Sequence, residues 1–238
     1  MNVHQRTQWH RDSDGTRYRT RRSFPAGPAR ATVLLAGPGS VSVVDGQGRD
    51  DLLLEQLTGR LVTQGAQVLT CDMPAREPDS PSTEADQRSR AGRLSRLLAA
   101  HRHLPAGPLV LVGFSLGALA LLQLLRSGEP RQADRAVLVG TVIEEDVFLT
   151  SHVPSLDLVY GSFDLVGYVA DADDETLPPA VFAPDMYGQW SASRLVGRRA
   201  FEVRVHLLEG LGHTLQPCGP GPSRDAIAAL TDLVGTAQ

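Results

Sequence analysis

The chain has 238 residues, of which 42% are hydrophobic and 21% charged, enough for one large domain with a substantial core, whereas a second full domain would be cramped. That hydrophobic fraction excludes a disordered chain, and no apolar run reaches the roughly 20 residues that cross a bilayer, so no membrane partner is expected. The net charge of −4 conceals a basic start, because residues 1–30 hold seven Arg against Asp12 and Asp14, leaving 16 basic and 25 acidic residues elsewhere.

In chain order, residues 5–24 (QRTQWHRDSDGTRYRTRRSF) read as two alternating segments around Asp14-Gly15, a dipeptide that favours a tight hairpin turn. The Arg residues there alternate with other types as on the solvent face of a strand, with no series of aromatics to stack on bases, so no nucleic-acid partner is expected. After the Pro/Gly break at 25–28 the pattern changes to short β-branched runs separated by helical patterns, the mark of a parallel sheet covered by helices on both faces. The predicted strands are 32–36 (TVLLA), 67–71 (QVLTC), 109–113 (LVLVG), 136–140 (AVLVG), 156–160 (LDLVY) and 203–208 (VRVHLL).

Helices are predicted between them. Leu53, Leu54, Leu57 and Leu61 keep helical spacing after Asp50, and Ala91, Leu94, Leu97, Leu98 and His101 do so after Thr83. Residues 116–125 (LGALALLQLL) are apolar all round and belong against the middle of the sheet. A last helix over 224–234 carries Ile227, Leu230, Leu233 and Val234 on one side. The polar N-terminus lacks the apolar stretch of a secretory signal, which points to the cytoplasm, where Cys71 and Cys218 are expected as free thiols. Every basic residue is Arg, which leaves no lysine for a Schiff base.

The third apolar strand runs directly into Gly113-Phe114-Ser115-Leu116-Gly117 and then into the apolar helix. A strand-to-helix turn this sharp leaves no room for side chains at its flanks, so it needs glycine there, and it lifts the serine hydroxyl to a helix N-terminus. Ser115 is therefore the candidate nucleophile.

At this point the chain resembles the α/β-hydrolase family, over nearly all of its length. The resemblance implies an α/β fold with a mostly parallel central sheet, helices on both faces and an N-terminal antiparallel hairpin. It also implies the order Ser, acid, His along the chain. The strand LDLVY leads into Gly161-Ser162-Phe163-Asp164, similar to the family's acid turn, and VRVHLL leads into Glu209-Gly210-Leu211-Gly212-His213, similar to its histidine loop. Ser115, Asp164 and His213 are thus the expected triad, with Glu144, Glu145 and Asp146 as competing acids and His152 as the reserve base. Asp157 is discounted because it lies within a strand, as does His206; His4, His10, His101 and His103 fall on polar or surface patterns.

Acyl transfer needs two N–H groups aimed at the developing oxyanion. Leu116, behind the nucleophile, supplies one. The other is expected from the loop Leu35-Ala36-Gly37-Pro38-Gly39-Ser40, which departs from the family pattern because proline has no N–H. One register places Pro38 on the donating position; another makes Ala36 the donor, as in type II thioesterases, and Gly39 and Ser40 stay open as alternatives.

Only 15 residues, 141–155, separate the strand after the nucleophile helix from the acid strand, too few for the helical cap of many family members, so one domain over 1–238 is expected without a separate cap. The insertion is instead expected at 165–200, hanging over the site, with Phe182, Met186, Tyr187 and Trp190 as an apolar wall for an acyl or ring-bearing substrate or, equally, as the packing side of a surface helix. The acidic run 171–175 lacks the glycine and terminal Glu of a calcium loop and reads as solvated. The metal and nucleotide motifs His-Glu-x-x-His, Cys-x-x-Cys and Gly-x-x-x-x-Gly-Lys-Ser do not occur, so no metal and no cofactor is expected. The resulting expectation is a serine hydrolase acting on a small carboxylic ester or thioester, free or carrier-bound, through an acyl-Ser115 intermediate. The competing expectation is a non-hydrolytic lyase, cyclase or acyl transferase on the same scaffold, motivated by Pro38 and the long segment before His213.

Overall fold

Among the described residues, eight strands form one sheet that is parallel apart from an antiparallel N-terminal edge. The computed structural model describes residues 3–39, 44, 52–74, 83–101, 107–164, 183–197, 201–218 and 223–235. β1 (His4–Arg11) and β2 (Arg17–Phe24) make the expected hairpin, closed at Gly15 with φ 88°. β2 continues antiparallel onto β4 (Ala66–Cys71), after which β3 (Ala31–Ala36), β5 (Leu109–Phe114), β6 (Arg135–Val139), β8 (Ser155–Gly161) and β10 (Glu202–Leu208) are parallel. All six apolar runs read from the sequence are strands, with ends shifted by no more than a residue or so.

The inner strands β3, β4, β5, β6 and β8 are buried on both faces, which is why they read as continuous apolar runs rather than alternating ones like β1 and β2. One face, including Leu34, Leu69, Leu111, Leu138 and Leu158, packs against α2 (Glu84–Ala100) and α3 (Leu116–Ser127). The other, including Val33, Val112, Phe114 and Val137, packs against α1 (Leu53–Thr63) and α5 (Ala226–Gly235). Each fully buried aliphatic side chain stabilises the fold by roughly 1.5–3 kcal/mol. α2 starts in a capping box in which the Thr83 hydroxyl accepts from the Asp86 amide and the Asp86 carboxylate accepts from the Thr83 amide.

Three elements go beyond the predicted list. β7 (Val147–Leu149) and β9 (Leu195–Gly197) form a separate two-stranded parallel sheet; three residues are too few to show a period. α4 (Pro184–Ser193) has Pro at its start, a favoured position, but Gly188 in its middle, which weakens its helix signal. Gly188 is required because a Cβ there would stand 2.6 Å from Val205 Cγ1. Among the described residues, no helix is long and apolar enough to cross a membrane.

Two predictions follow from buried polar groups. Asp157 is fully buried on β8, where His206 lies at 2.8 Å and Arg135 at 3.5 Å. Removing one member of a buried ion pair strands its partner, so Asp157→Ala should lower the urea unfolding free energy by about 3 kcal/mol. Cys71 is buried and its thiol is pushed up to about 12 by desolvation, whereas Cys218 is only half-buried and both are free. Iodoacetamide at pH 8 should label Cys218 in the native protein and reach Cys71 only in denaturant, as peptide mass spectrometry would show.

Candidate active site

The nucleophile elbow is built by sterics. Ser115 follows β5 with φ 50° and ψ −120°, a backbone region that costs a side-chain-bearing residue of order 1–3 kcal/mol. The turn is tenable because its flanks are glycine: a Cβ on Gly113 would stand 2.7 Å from Ala118 Cα, and one on Gly117 would stand 2.4 Å from the Gly37 carbonyl oxygen. The Ser115 amide donates to the Val139 carbonyl at 2.7 Å, so this N–H is occupied within the sheet. Leu116 begins α3, and its amide is among those a helix start leaves without an intrahelical acceptor.

The turns after β8 and β10 lock to each other and bring the acid to the histidine. The Phe163 amide donates to the Leu211 carbonyl and the Gly210 amide to the Ser162 hydroxyl, both at 2.9 Å. Gly161 has no space for a Cβ, which would lie 2.1 Å from the Leu211 carbonyl oxygen. From this frame Asp164, fully buried, reaches His213 Nδ1 at 3.0 Å, and His213 Nε2 reaches Ser115 Oγ at 2.8 Å. The three residues expected from the sequence are therefore one hydrogen-bonded line at the C-terminal edge of the sheet, where open α/β sheets place their sites. The His213 side chain is 18% exposed, whereas Asp164 is closed off from solvent.

The alternatives lie elsewhere. Glu144, Glu145 and Asp146 are exposed, with Asp146 paired to Arg194 at 3.1 Å. His152 bridges to Gln132, His10 meets the Thr20 hydroxyl, and His101 meets the Leu97 carbonyl. His4 stacks on Phe24, and His103 is outside the described residues.

On the oxyanion side, Ala36 ends β3 and Gly39 lies in the turn beyond it, with the Ala36 and Gly37 carbonyl oxygens packed against Gly117. Ser40 falls outside the described residues. In the segment 165–200, residues 165–182 and 198–200, including Phe182 and the acidic run 171–175, also fall outside them. Of the expected apolar wall, Met186 and Trp190 are 56% and 50% exposed, one turn apart on α4, with the Arg194 guanidinium 4.1 Å from the Trp190 ring centre.

Tyr187 follows the other expectation, the packing side of a surface helix. It is 4% exposed, its ring meets Tyr160 edge-on at 4.7 Å, and its hydroxyl donates to the Asp164 carbonyl at 2.9 Å. The reason is helical geometry: the position after Met186 turns toward the sheet, and a tyrosine there needs a buried acceptor for its hydroxyl. Tyr160 in turn donates to the Thr141 carbonyl at 2.6 Å, and burial raises its pKa, keeping it a donor. Two contributors escaped the sequence reading. Gly140, with φ 61°, leaves room for the His213 ring, whose Nδ1 would lie 3.0 Å from a Cβ; its place at the end of AVLVG was the available signal. Arg90, buried on α2, carries its signal in its spacing, four and seven residues before Leu94 and Leu97 on the apolar face of that helix. Among the described residues no group of three or more His, Cys, Asp or Glu side chains is placed to hold a metal ion.

Solved structures with this architecture decide the family of folds. A cold-adapted esterase from an Arctic intertidal metagenomic library aligns over 99% of this chain and 94% of its own, with TM-score 0.61 and 15% identity. The chain has the α/β-hydrolase fold. A serine hydrolase without lid from Xanthomonas campestris aligns over 100% and 94% at TM-score 0.60 and 11% identity. A dienelactone hydrolase from Anabaena variabilis aligns over 98% and 96% at 0.60 and 16%. No protein-family profile matches the chain, and no curated protein sequence does. In this α/β-hydrolase scaffold, Gly117→Ala should drive the Ala36–Gly37 segment outward and lower stability by about 1–3 kcal/mol, a loss that thermal unfolding would register.

Proposed function

We propose that the protein is a serine hydrolase that cleaves a carboxylic ester or thioester through an acyl-Ser115 intermediate. The observation that carries this reading is the continuous line Asp164–His213–Ser115, at 3.0 and 2.8 Å, on a strained elbow. The esterases and hydrolases among its structural neighbours agree with it.

A serine hydroxyl is a weak nucleophile at neutral pH and needs a base within hydrogen-bond reach. His213 Nε2 takes the Ser115 proton as Oγ attacks the carbonyl carbon, and the resulting imidazolium is stabilised by the buried Asp164 carboxylate, which also holds the ring in the productive tautomer. The tetrahedral oxyanion is met by the Leu116 amide and by a second donor from the Ala36–Gly39 segment, with Ala36 and Gly39 as candidates. Collapse expels the alcohol or thiol with the proton returned from His213. Water, deprotonated by the same histidine, then attacks the acyl-Ser115 carbonyl and releases the acid.

Met186 and Trp190 offer an apolar surface to the acyl or leaving group, and the substrate is a small-molecule ester or thioester, free or carrier-bound. Tyr187 supports the acid turn instead. Pro38, which removes one N–H from the oxyanion turn, favours a second reading in which the same acyl-enzyme passes its acyl group to an acceptor other than water.

Wild type should hydrolyse members of a p-nitrophenyl ester series and Ser115→Ala should lose at least about 10⁴-fold in kcat, with circular dichroism unchanged. A folded wild type that leaves the whole series intact would sink the general esterase. Reaction in H₂¹⁸O separates the two readings, since only hydrolysis places the label in the acid. Trp190→Ala should shift the preferred acyl chain length; identical profiles would remove Trp190 from the substrate site.

A further inference from the structure

The turn Gly37-Pro38-Gly39 leaves β3 beside the nucleophile, and in the reading above it belongs to the segment that supplies the second oxyanion donor. Its middle residue has no N–H and a φ fixed by its ring, whereas Gly39 after it has no side chain to restrict it, so local sterics leave the far end of the turn poorly determined. A donor that must meet charge in the transition state has to be held in place beforehand. Packing on Gly117 fixes the Ala36–Gly37 end, and a group outside the turn has to hold Gly39.

Arg90 is so placed. It is 1% exposed on α2, and its Nη2 donates to the Gly39 carbonyl at 2.6 Å and to the Pro74 carbonyl at 2.9 Å. Those carbonyls belong to the segments that leave β3 and β4, neighbours in the sheet, so one guanidinium spans both at the edge where the triad sits. Arginine is rarely this buried unless its donors are used. Bonds from a cation are shorter and stronger than neutral ones, and the planar fork fixes the direction of the group it binds.

We infer that Arg90 is a positioning residue for the proposed reaction, orienting the Gly37–Gly39 turn toward the oxyanion while touching no reacting atom. The inference rests on the serine-hydrolase reading, so its test has one readout that depends on that reading and one that does not. The full chain is compared as wild type, Arg90→Met, Arg90→Lys and Ser115→Ala. The first readout is p-nitrophenyl acetate hydrolysis with the Ki of phenylboronic acid, which bonds to an active serine as a tetrahedral anion. The second is the exchange behaviour of the Gly37 and Gly39 amides in ¹⁵N NMR spectra.

Because displacement of about 1 Å can cost about 100-fold, Arg90→Met should lower kcat by about 10- to 100-fold with KM within about threefold. Its phenylboronic acid Ki should rise in parallel, and Arg90→Lys, which keeps the charge but not the fork, should fall in between. In both variants the Gly37 and Gly39 amides should broaden or exchange faster. A folded Arg90→Met with wild-type kcat and Ki overturns the inference, as does one whose glycine amides match wild type, or one whose kcat falls while Ki does not. Should Arg90→Met not fold, Arg90→Lys decides by the same criteria. If wild type is inactive and its boronic acid binding equals that of Ser115→Ala, the hydrolase reading fails, and unchanged or loosened glycine amides still decide whether Arg90 holds the turn.

Discussion

The lack of space around Ser115 is the constraint from which the site follows. A serine at φ 50°, ψ −120° between two glycines requires that β5 be central and that the helix after it be apolar enough to fold back against the sheet. It also requires that the segment leaving β3 pass within van der Waals contact of Gly117. The same absence of Cβ atoms recurs at Gly140 and Gly161, where the His213 ring and the Leu211 carbonyl take the vacated space. Four tight approaches, each open only to glycine, set the relative positions of Ser115, His213, the Asp164 turn and the Gly37–Gly39 turn, and backbone packing of this kind is stiff because protein interiors are close-packed.

Around that rigid centre, arginine ties the edge elements together. Arg93 donates to Asp12 of the hairpin turn and to the Asp72 carbonyl, Arg19 of β2 pairs with the Asp72 carboxylate, and the Val44 amide donates to the same carboxylate. Arg19 of the basic hairpin is thus paired inside the molecule with an acid beside β4, and Asp12 at the hairpin turn with Arg93 of α2. Arg90, one turn earlier on α2, extends the same device toward the oxyanion turn. One amphipathic helix thus buries two guanidinium groups, and both serve backbone carbonyls.

The side of the site built by α4 divides its labour by helix face. Tyr187 faces the sheet and holds the acid turn by its carbonyl, while Met186 and Trp190 stay outside. Gly188 lets the helix lie close enough to Tyr160 and Val205 for that bond to form. A tyrosine, a methionine and a tryptophan within five residues look alike in a sequence; their roles separate only when the helix has a defined rotation about its axis.

What the sequence by itself determined was the parallel sheet and the three residues that its strand ends bring together. Uninterrupted β-branched runs are the requirement of a strand buried on both faces, and Ser115, Asp164 and His213 each stand just past such a run. Tertiary structure alone decided the rest. β7 and β9 are too short to carry a period, α4 holds Gly188 against its own propensity, and Tyr187 and Arg90 find their partners in carbonyls 23 and 51 residues away in the chain. Local pattern reports whether a position is buried by its own element. It does not report which backbone group a buried polar side chain will meet, because that partner is supplied by a different part of the chain after the sheet has assembled.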